Sequence, residues 1–177
     1  MSVNADGNRL TALHQAAHVV LQELLFHTPE QYAVQIVEIE GITRGRVVPP
    51  STGWLPRATI KDKESEIQKA LGGFAAESIE TGIDWRNCSD NPEIIADDIK
   101  AACSLFALLS FVPGKGGTAE EMRSCFASYR KDLESYYQAA KALIRANWNL
   151  VERVARELLE RKQLTADEVR RLITEHL

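Results

Sequence analysis

Apolar residues recur every three or four positions through most of this chain, and this spacing constrains the fold more than any other feature of the sequence. Such positions share one face of an α-helix, so each segment with the spacing predicts a helix packed against a core. The first helix is expected to begin at Asn8 or Thr11 as N-cap and to end near His27. Together with helix-start signals, the pattern predicts helices over 10–27, 60–82, 90–111, 118–144, 150–159 and 165–173.

One segment has the alternation of a strand instead. In 32–40 apolar residues alternate with polar ones, which is typical of a strand with one buried face. Gly41 and Gly45 are expected to frame a turn that leads into a second strand at 46–48. The predicted fold class is therefore mainly α (α+β), with a small β-hairpin and a C-terminal helical bundle.

Glycines and capping boxes add local detail to the predicted helices. Gly72 and Gly73 lie inside the second helix, where two glycines together cost about 2 kcal/mol, so we expect another backbone to approach closely there. The segments 118–121 and 165–168 both read T-A-x-E, the capping-box pattern that begins a helix. The glycine-rich loop before the first box has the wrong order for a phosphate-binding loop.

Composition limits the classes of partner and the compartment. The 177 residues suit one domain, and 45% hydrophobic residues are enough for a core. Lys and Arg number 21 against 25 Asp and Glu, so no basic field attracts nucleic acid or anionic lipid. The longest apolar stretch, 101–112, is too short to span a membrane, and the N-terminus lacks a secretion signal, so we expect a cytoplasmic chain. Cys88, Cys103 and Cys125 fit reduced thiols in the core or at the surface.

A pair of histidines is the first candidate for chemistry. His14 and His18 are four residues apart, so both imidazoles lie on one helical face and can reach a single metal ion. Such a pair also arises by chance, and two core histidines with no ligand remain an alternative. The zinc-protease pattern H-E-x-x-H needs a glutamate that accepts a proton, whereas Gln15 has an amide that cannot do so at neutral pH. The pattern here is the degenerate H-Q-x-x-H.

Three ordered motifs resemble those of the FtsH family of ATP-dependent zinc proteases. The segment 11–20, T-A-L-H-Q-A-A-H-V-V, resembles the family's A-x-H-E-A-G-H-A-V. The segment 71–77, L-G-G-F-A-A-E, followed by Gly82, resembles L-G-G-R-A-A-E...G, and 96–102, A-D-D-I-K-A-A, resembles S-N-D-I-x-x-A-T. The segment 165–168 resembles the family's closing L-x-x-x-E element, and the predicted hairpin falls where the family has an I-I-P-R-G turn. The resemblance covers nearly the whole chain.

The resemblance implies a fold, a metal and its ligands. We expect one FtsH-peptidase-like domain over 1–177, with a metal-site half in 1–112 and a C-terminal helical part in 118–177. The family's zinc ligands correspond to His14, His18 and Asp98, which would leave the fourth tetrahedral position open.

Other polar residues have weaker assignments. Glu77 is expected to hydrogen-bond one of the histidines, although it and Asp98 could each be ordinary surface acids. His27 and His176 have no partner at ligand spacing and are expected at the surface.

Departures from the family pattern lower the expected activity. Gln15 stands at the general-base position, so the resemblance implies a zinc metallopeptidase that is inactive or very weak. Ala17 replaces a glycine and Phe74 an arginine, and no segment of the 177 residues resembles the family's membrane anchor or ATPase module. The alternative is a non-enzymatic protein-interaction module that reuses the peptidase fold. Either interpretation implies a polypeptide substrate or a protein partner. Because members of the family form rings, the resemblance also allows a homo-oligomer.

Overall fold

The computed structural model describes residues 3–26, 32–39, 42–48, 59–84, 98–99, 101–103, 105–106 and 119–175. The chain is mostly helical with a small three-stranded antiparallel sheet, which confirms the mainly α (α+β) class. The elements are α1 (Val3–Leu25), β1 (Ala33–Ile39), β2 (Ile42–Val48), α2 (Ile60–Thr81), α3 (Ala119–Ala146), α4 (Trp148–Arg161), β3 (Gln163–Thr165) and α5 (Ala166–Thr174). The described residues between 98 and 106, called the 98–106 segment below, are also helical.

Helix α1 begins earlier than the sequence predicts. Asn8 and Thr11, the two predicted N-caps, lie inside the helix, which starts at Val3. The Thr11 hydroxyl donates to the Gly7 carbonyl at 3.0 Å, and the Asn8 side chain accepts a hydrogen bond from the Thr43 hydroxyl. Both side chains are therefore used within the helix or against β2, and the prediction of an N-cap at either position is wrong.

The hairpin is present, but its glycines have different roles from those predicted. Strand β1 lies between β2 and β3, and both pairings are antiparallel. Gly45 lies within β2 opposite Ile36, so the prediction that it frames the turn is wrong. Gly41 lies outside the described residues. The short strand β3 is absent from the sequence prediction, because three residues give too little alternation to recognise.

Helix α2 has the predicted extent and both of its ends are capped. Thr59 and Asp62 form a capping box, and Gly82 ends the helix in the left-handed conformation with φ of 72°. The glycine pair has a packing role, although side chains of α1 fill the space instead of a backbone. A Cβ atom on Gly72 would lie 2.6 Å from Leu21 Cδ1, and one on Gly73 would lie 2.3 Å from the His14 ring.

The core connects the two halves of the chain. Residues 12–22 of α1 are buried and pack against α2 on one side and α4 on the other, while α3 packs against α2. At the C-terminal end Thr165 and Glu168 form the predicted capping box of α5. The side chains of the other predicted box, at 118–121, lie outside the described residues. No described helix has the length and apolar composition needed to cross a membrane.

Candidate metal centre

His14 and His18 lie one turn apart on the buried face of α1 that packs against α2. Their rings are 4.8 Å apart between centroids and inclined at 69°. Only 3% of His14 and 8% of His18 is exposed. The apolar positions around them bury this face, so the same periodicity that forms the helix also carries the two imidazoles into the interior.

Asp98, in the 98–106 segment, brings a carboxylate to both rings. Its Oδ2 atom lies 2.9 Å from His14 Nε2 and 3.3 Å from His18 Nε2. One ligand atom from each of the three residues can be chosen so that all lie within 4.8 Å of one another. A residue 84 positions away in the sequence thus completes a three-residue cluster of the kind that a divalent metal ion takes.

The second nitrogen of each histidine ring is held by α2. His14 Nδ1 lies 2.7 Å from Glu77 Oε1, and His18 Nδ1 lies 2.8 Å from the Lys69 carbonyl. A carbonyl oxygen only accepts, so Nδ1 of His18 carries a proton, and Nε2 is the nitrogen that would give its lone pair to a metal ion in exchange for a proton. Metal-binding histidines in proteins are oriented in this way by a carboxylate or carbonyl on the other nitrogen.

The acidic and basic groups of this cluster shift the pKa values of His14 and Asp98. Burial lowers the pKa of His14, but hydrogen bonds to Asp98 and Glu77 outweigh it and raise the pKa to about 10. Burial raises the pKa of the Asp98 carboxyl, but the charge of His18 and hydrogen bonds from both histidines bring it below its usual value. Asp98 is therefore an ionised carboxylate, the form that binds a cation, and a metal ion would compete there with protons.

Two residues of α2 shape the site by packing against His14. The His14 ring lies where a Cβ atom of Gly73 would be, so only glycine fits at that position. The Phe74 ring packs edge-on against His14, with 5.8 Å between centroids. The sequence indicated that the glycine pair has a packing role, but gave no sign that Phe74, which stands at the family's arginine position, contacts a histidine.

Gln15 lies in a groove beside the cluster. The groove has a volume of about 480 Å³ and is bounded by α1, β2, α2 and the 98–106 segment. Gln15 is 6% exposed, and its side chain lies against Gly45, whose missing Cβ atom would be 2.2 Å from Gln15 Cγ. The sequence did not indicate this role of Gly45, because a glycine beside a polar segment is typical of a turn.

The structure brings together all the polar residues that the resemblance assigns to the site. His14, His18, Asp98 and Glu77 form one hydrogen-bonded cluster, which we call the histidine cluster. The Lys69 carbonyl was missed, because a backbone atom leaves no signature in the residue types. Of the other candidates, Cys103 is buried, and the side chains of Cys88, Cys125, His27 and His176 lie outside the described part of the chain.

Comparison with known proteins gives distant similarities over most of the chain. It is 29% identical over 185 residues to the ATP-dependent zinc metalloprotease FtsH of Thermus thermophilus, covering 93% of this chain and 29% of that protein. It is 30% identical over 184 residues to FtsH 2 of Sphaerobacter thermophilus, covering 94% and 27%, respectively. Identity to FTSH 11, chloroplastic/mitochondrial, of Arabidopsis thaliana is 22% over 181 residues, covering 98% and 22%.

These similarities support a relationship between this chain and the FtsH metalloproteases. The chain spans about a quarter of the length of the curated relatives that it matches. No family model matches it.

Proposed function

We propose that this chain is an FtsH-like zinc metallopeptidase domain with impaired catalysis. The observation that carries the proposal is the convergence of His14 Nε2, His18 Nε2 and Asp98 Oδ2, with the second nitrogen of each ring held by α2. The similarity to zinc metalloproteases supports a peptidase-related domain.

The donor set fits zinc better than a hard cation. Two imidazole nitrogens and one carboxylate oxygen are ligands that zinc accepts, and three protein ligands leave one position open. Bound there, zinc would supply Lewis acidity toward a substrate carbonyl. Glu77 would fix the orientation of His14 by accepting its Nδ1 proton, and the Lys69 carbonyl would do the same for His18.

Gln15 is the reason for expecting impaired catalysis. It occupies the position next to His14 where the H-E-x-x-H pattern has a glutamate, and an amide cannot accept a proton at neutral pH. Loss of a positioned general base reduces the rate by roughly 10²–10⁴. The remaining cluster can bind a metal and orient a peptide, but it lacks a group to move the proton.

The same residue favours a second candidate function. A domain that keeps its groove and its metal ligands but has lost the base could serve as a protein-interaction module. The binding partner under either function is a polypeptide, in the cytoplasm, and self-association is compatible with both. ATP-dependence is a property named for the whole relatives, of which this chain spans about a quarter.

Metal analysis tests the ligand assignment. Protein prepared without chelator and dialysed against zinc should contain about one equivalent by mass spectrometry. His14→Ala, His18→Ala and Asp98→Asn should each lose it, whereas the matched control Asp132→Asn, an exposed aspartate on α3, should keep it. Less than about a tenth of an equivalent in the unmodified chain would contradict the metal site.

Activity separates the two candidate functions. Hydrolysis of casein by the zinc-loaded chain should be barely detectable, and Gln15→Glu should raise it by about 10²-fold because a carboxylate can accept the proton. An increase supports a peptidase that lacks only its base. No increase in a variant that binds one equivalent of zinc supports the interaction module.

A further inference from the structure

A buried phenylalanine lies against the histidine cluster, and the proposed function gives it no role. Phe74, on α2, is 1% exposed, and its ring centroid lies 5.8 Å from that of His14 with 77° between the ring planes. This edge arrangement is a favourable geometry for two aromatic rings. Phe74 has no atom that binds a metal ion, so an effect on the metal site has to act through His14.

The His14 ring is held by contacts with α2 on several sides. Its Nδ1 atom lies 2.7 Å from Glu77 Oε1, and its ring fills the space where a Cβ atom of Gly73 would lie. The hydrogen bond to Glu77 fixes one atom of the imidazole, and the Phe74 ring opposes rotation of the imidazole plane about that bond. The Nε2 atom of His14 thereby faces Asp98 Oδ2 at 2.9 Å, the place where the metal ion is proposed.

Phe74 is also close to the residue that bonds His14. Phe74 and Glu77 are three residues apart on α2, so their side chains are neighbours on the helix surface. A cationic side chain at position 74 would be in reach of the Glu77 carboxylate and would compete with His14 for it. Phenylalanine stands where the FtsH motif has arginine, and an uncharged ring does not compete.

The charge of a loaded site favours the same residue. Two carboxylates, Asp98 and Glu77, face the two histidines, and their side chains are 26% and 20% exposed. One zinc ion with neutral imidazoles would balance these two negative charges. A guanidinium at position 74 would add a third positive charge beside the ion in a mostly buried site, where like charges repel more strongly than in water.

We propose that Phe74 is a positioning residue for the metal site. Its ring holds the His14 imidazole with Nε2 toward the ion, and its lack of charge leaves Glu77 to His14. The proposal deepens the proposed function and rests on it, since it assigns a role in metal binding to a residue that departs from the FtsH motif.

Zinc affinity of the full chain tests this proposal, measured by competition with a fluorescent chelator. Loss of a residue that supports a metal ligand costs about 10–100-fold in metal affinity. Phe74→Leu, which keeps an apolar side chain but loses the flat ring, should weaken zinc binding by about tenfold. Phe74→Arg, which also introduces the charge, should weaken it by about 100-fold.

Tyr137→Leu is the matched control. Tyr137, on α3, is also an aromatic residue with 1% exposure, but its ring contacts Lys141. Its replacement removes a similar amount of buried packing, so urea denaturation of the metal-free chain should show losses of stability in both leucine variants. Zinc affinity should stay unchanged in Tyr137→Leu. An equal loss of affinity in Tyr137→Leu and Phe74→Leu would overturn the proposal, because the effect would then follow from stability.

The visible spectrum of the cobalt-loaded chain adds a measurement that lost stability alone does not change. Absorption by Co²⁺ depends on the geometry of its ligands, so a tilted His14 ring should alter the bands in Phe74→Leu and leave them unchanged in Tyr137→Leu. If Phe74→Arg does not fold, Phe74→Leu and Phe74→Met are compared. Unchanged zinc affinity together with an unchanged cobalt spectrum in Phe74→Leu would overturn the proposal.

Metal content separates this proposal from the proposed function. A chain that binds no zinc contradicts the metal site and the role of Phe74 with it. A chain that binds zinc, loses it in His14→Ala and keeps its full affinity in Phe74→Leu contradicts the role of Phe74 alone.

Discussion

Two partly buried polar clusters in this molecule, each held by an ionised carboxylate, have different arrangements. The histidine cluster joins α1 to α2 and the 98–106 segment. A second group, the tyrosine cluster, consists of Glu23, Tyr32 and Arg170 and joins α1 to β1 and α5. Each places an α1 side chain against residues that are distant in the sequence.

In the tyrosine cluster both carboxylate oxygens of Glu23 have donors, and Arg170 also donates to Asp167. Glu23 Oε1 accepts from the Tyr32 hydroxyl at 2.8 Å, and Oε2 accepts from Arg170 Nε at 3.0 Å. Each carboxylate oxygen therefore has a donor, and the charge of Glu23 faces that of Arg170. In the histidine cluster the two ring nitrogens and the carboxylate oxygen that share protons are all potential metal ligands, and they converge beside a groove. Matched donors and acceptors stabilise a fold, whereas groups that can exchange their shared protons for one cation make a metal site.

The largest expected effect separates the two clusters by metal affinity. Asp98→Asn should weaken zinc binding by more than about 100-fold. Loss of a residue that only supports a ligand costs about 10–100-fold in metal affinity, and this substitution removes the charge of the ligand itself. Arg170→Met should leave zinc affinity unchanged. Competition with a fluorescent chelator measures both values, and similar affinities for the two variants would show that the histidine cluster is structural like the other.

Stability should respond in the opposite way. Arg170→Met leaves Glu23 partly buried without its cation and should lower the free energy of unfolding by about 2–3 kcal/mol. The loss is smaller than for a fully buried ion pair because both side chains keep some exposure. Urea denaturation of the metal-free chain measures it. The exposed pair of Arg9 and Glu80 is the control, since Arg9→Met should cost less than about 1 kcal/mol. Equal losses in the two variants would show that the tyrosine cluster is no more stabilising than a surface pair.

Gly73→Ala tests how tightly the histidine cluster is packed. The new Cβ atom would lie 2.3 Å from the His14 ring, so we expect a loss of about 1–3 kcal/mol in stability together with weaker zinc binding. Gly7→Ala is the matched control, because nothing lies within 4 Å of a Cβ atom there and alanine favours a helix. Unchanged zinc affinity in Gly73→Ala would mean that His14 can move without losing the metal.

The smallest effect concerns pH and the tyrosine cluster. Burial and the charge of Glu23 raise the pKa of Tyr32 above its ordinary value of 10.0. The raised pKa means that Tyr32 contributes stability fully below pH 10, and that this contribution is lost as pH rises further. Tyr32→Phe should cost about 1 kcal/mol at pH 7, and the difference from the unmodified chain should shrink above pH 10. A difference that is constant from pH 7 to 11 would show that the pKa of Tyr32 is not raised.

Local spacing predicted the part of the site that lies within one element. His14 and His18 fall on one face because the helical repeat puts i and i+4 together, and burial of that face follows from the apolar residues around them. Asp98 and Glu77 have no such relation to α1, and only the motif resemblance identified them. The tyrosine cluster was missed altogether, since Arg170 lies 147 residues from Glu23 and no motif connects them.

The errors in the fold have physical reasons of the same kind. Glycine is common in turns, so Gly45 was placed in a turn, whereas in β2 its missing Cβ atom makes room for Gln15. Asn8 and Thr11 are common N-caps, but their side chains bond to Thr43 and to the Gly7 carbonyl, and α1 continues to Val3. In each case the residue type favours one local role, and a contact with a distant part of the chain gives the residue a different role.

X-ray absorption at the zinc edge tests the central claim most directly, using the full chain loaded with one equivalent of zinc. The account predicts a four-coordinate ion with two imidazole nitrogens and oxygen ligands at about 2.0–2.2 Å, and the loss of the imidazole signal in a chain that carries both His14→Ala and His18→Ala. A spectrum without imidazole scattering, or one that the double substitution leaves unchanged, would contradict it.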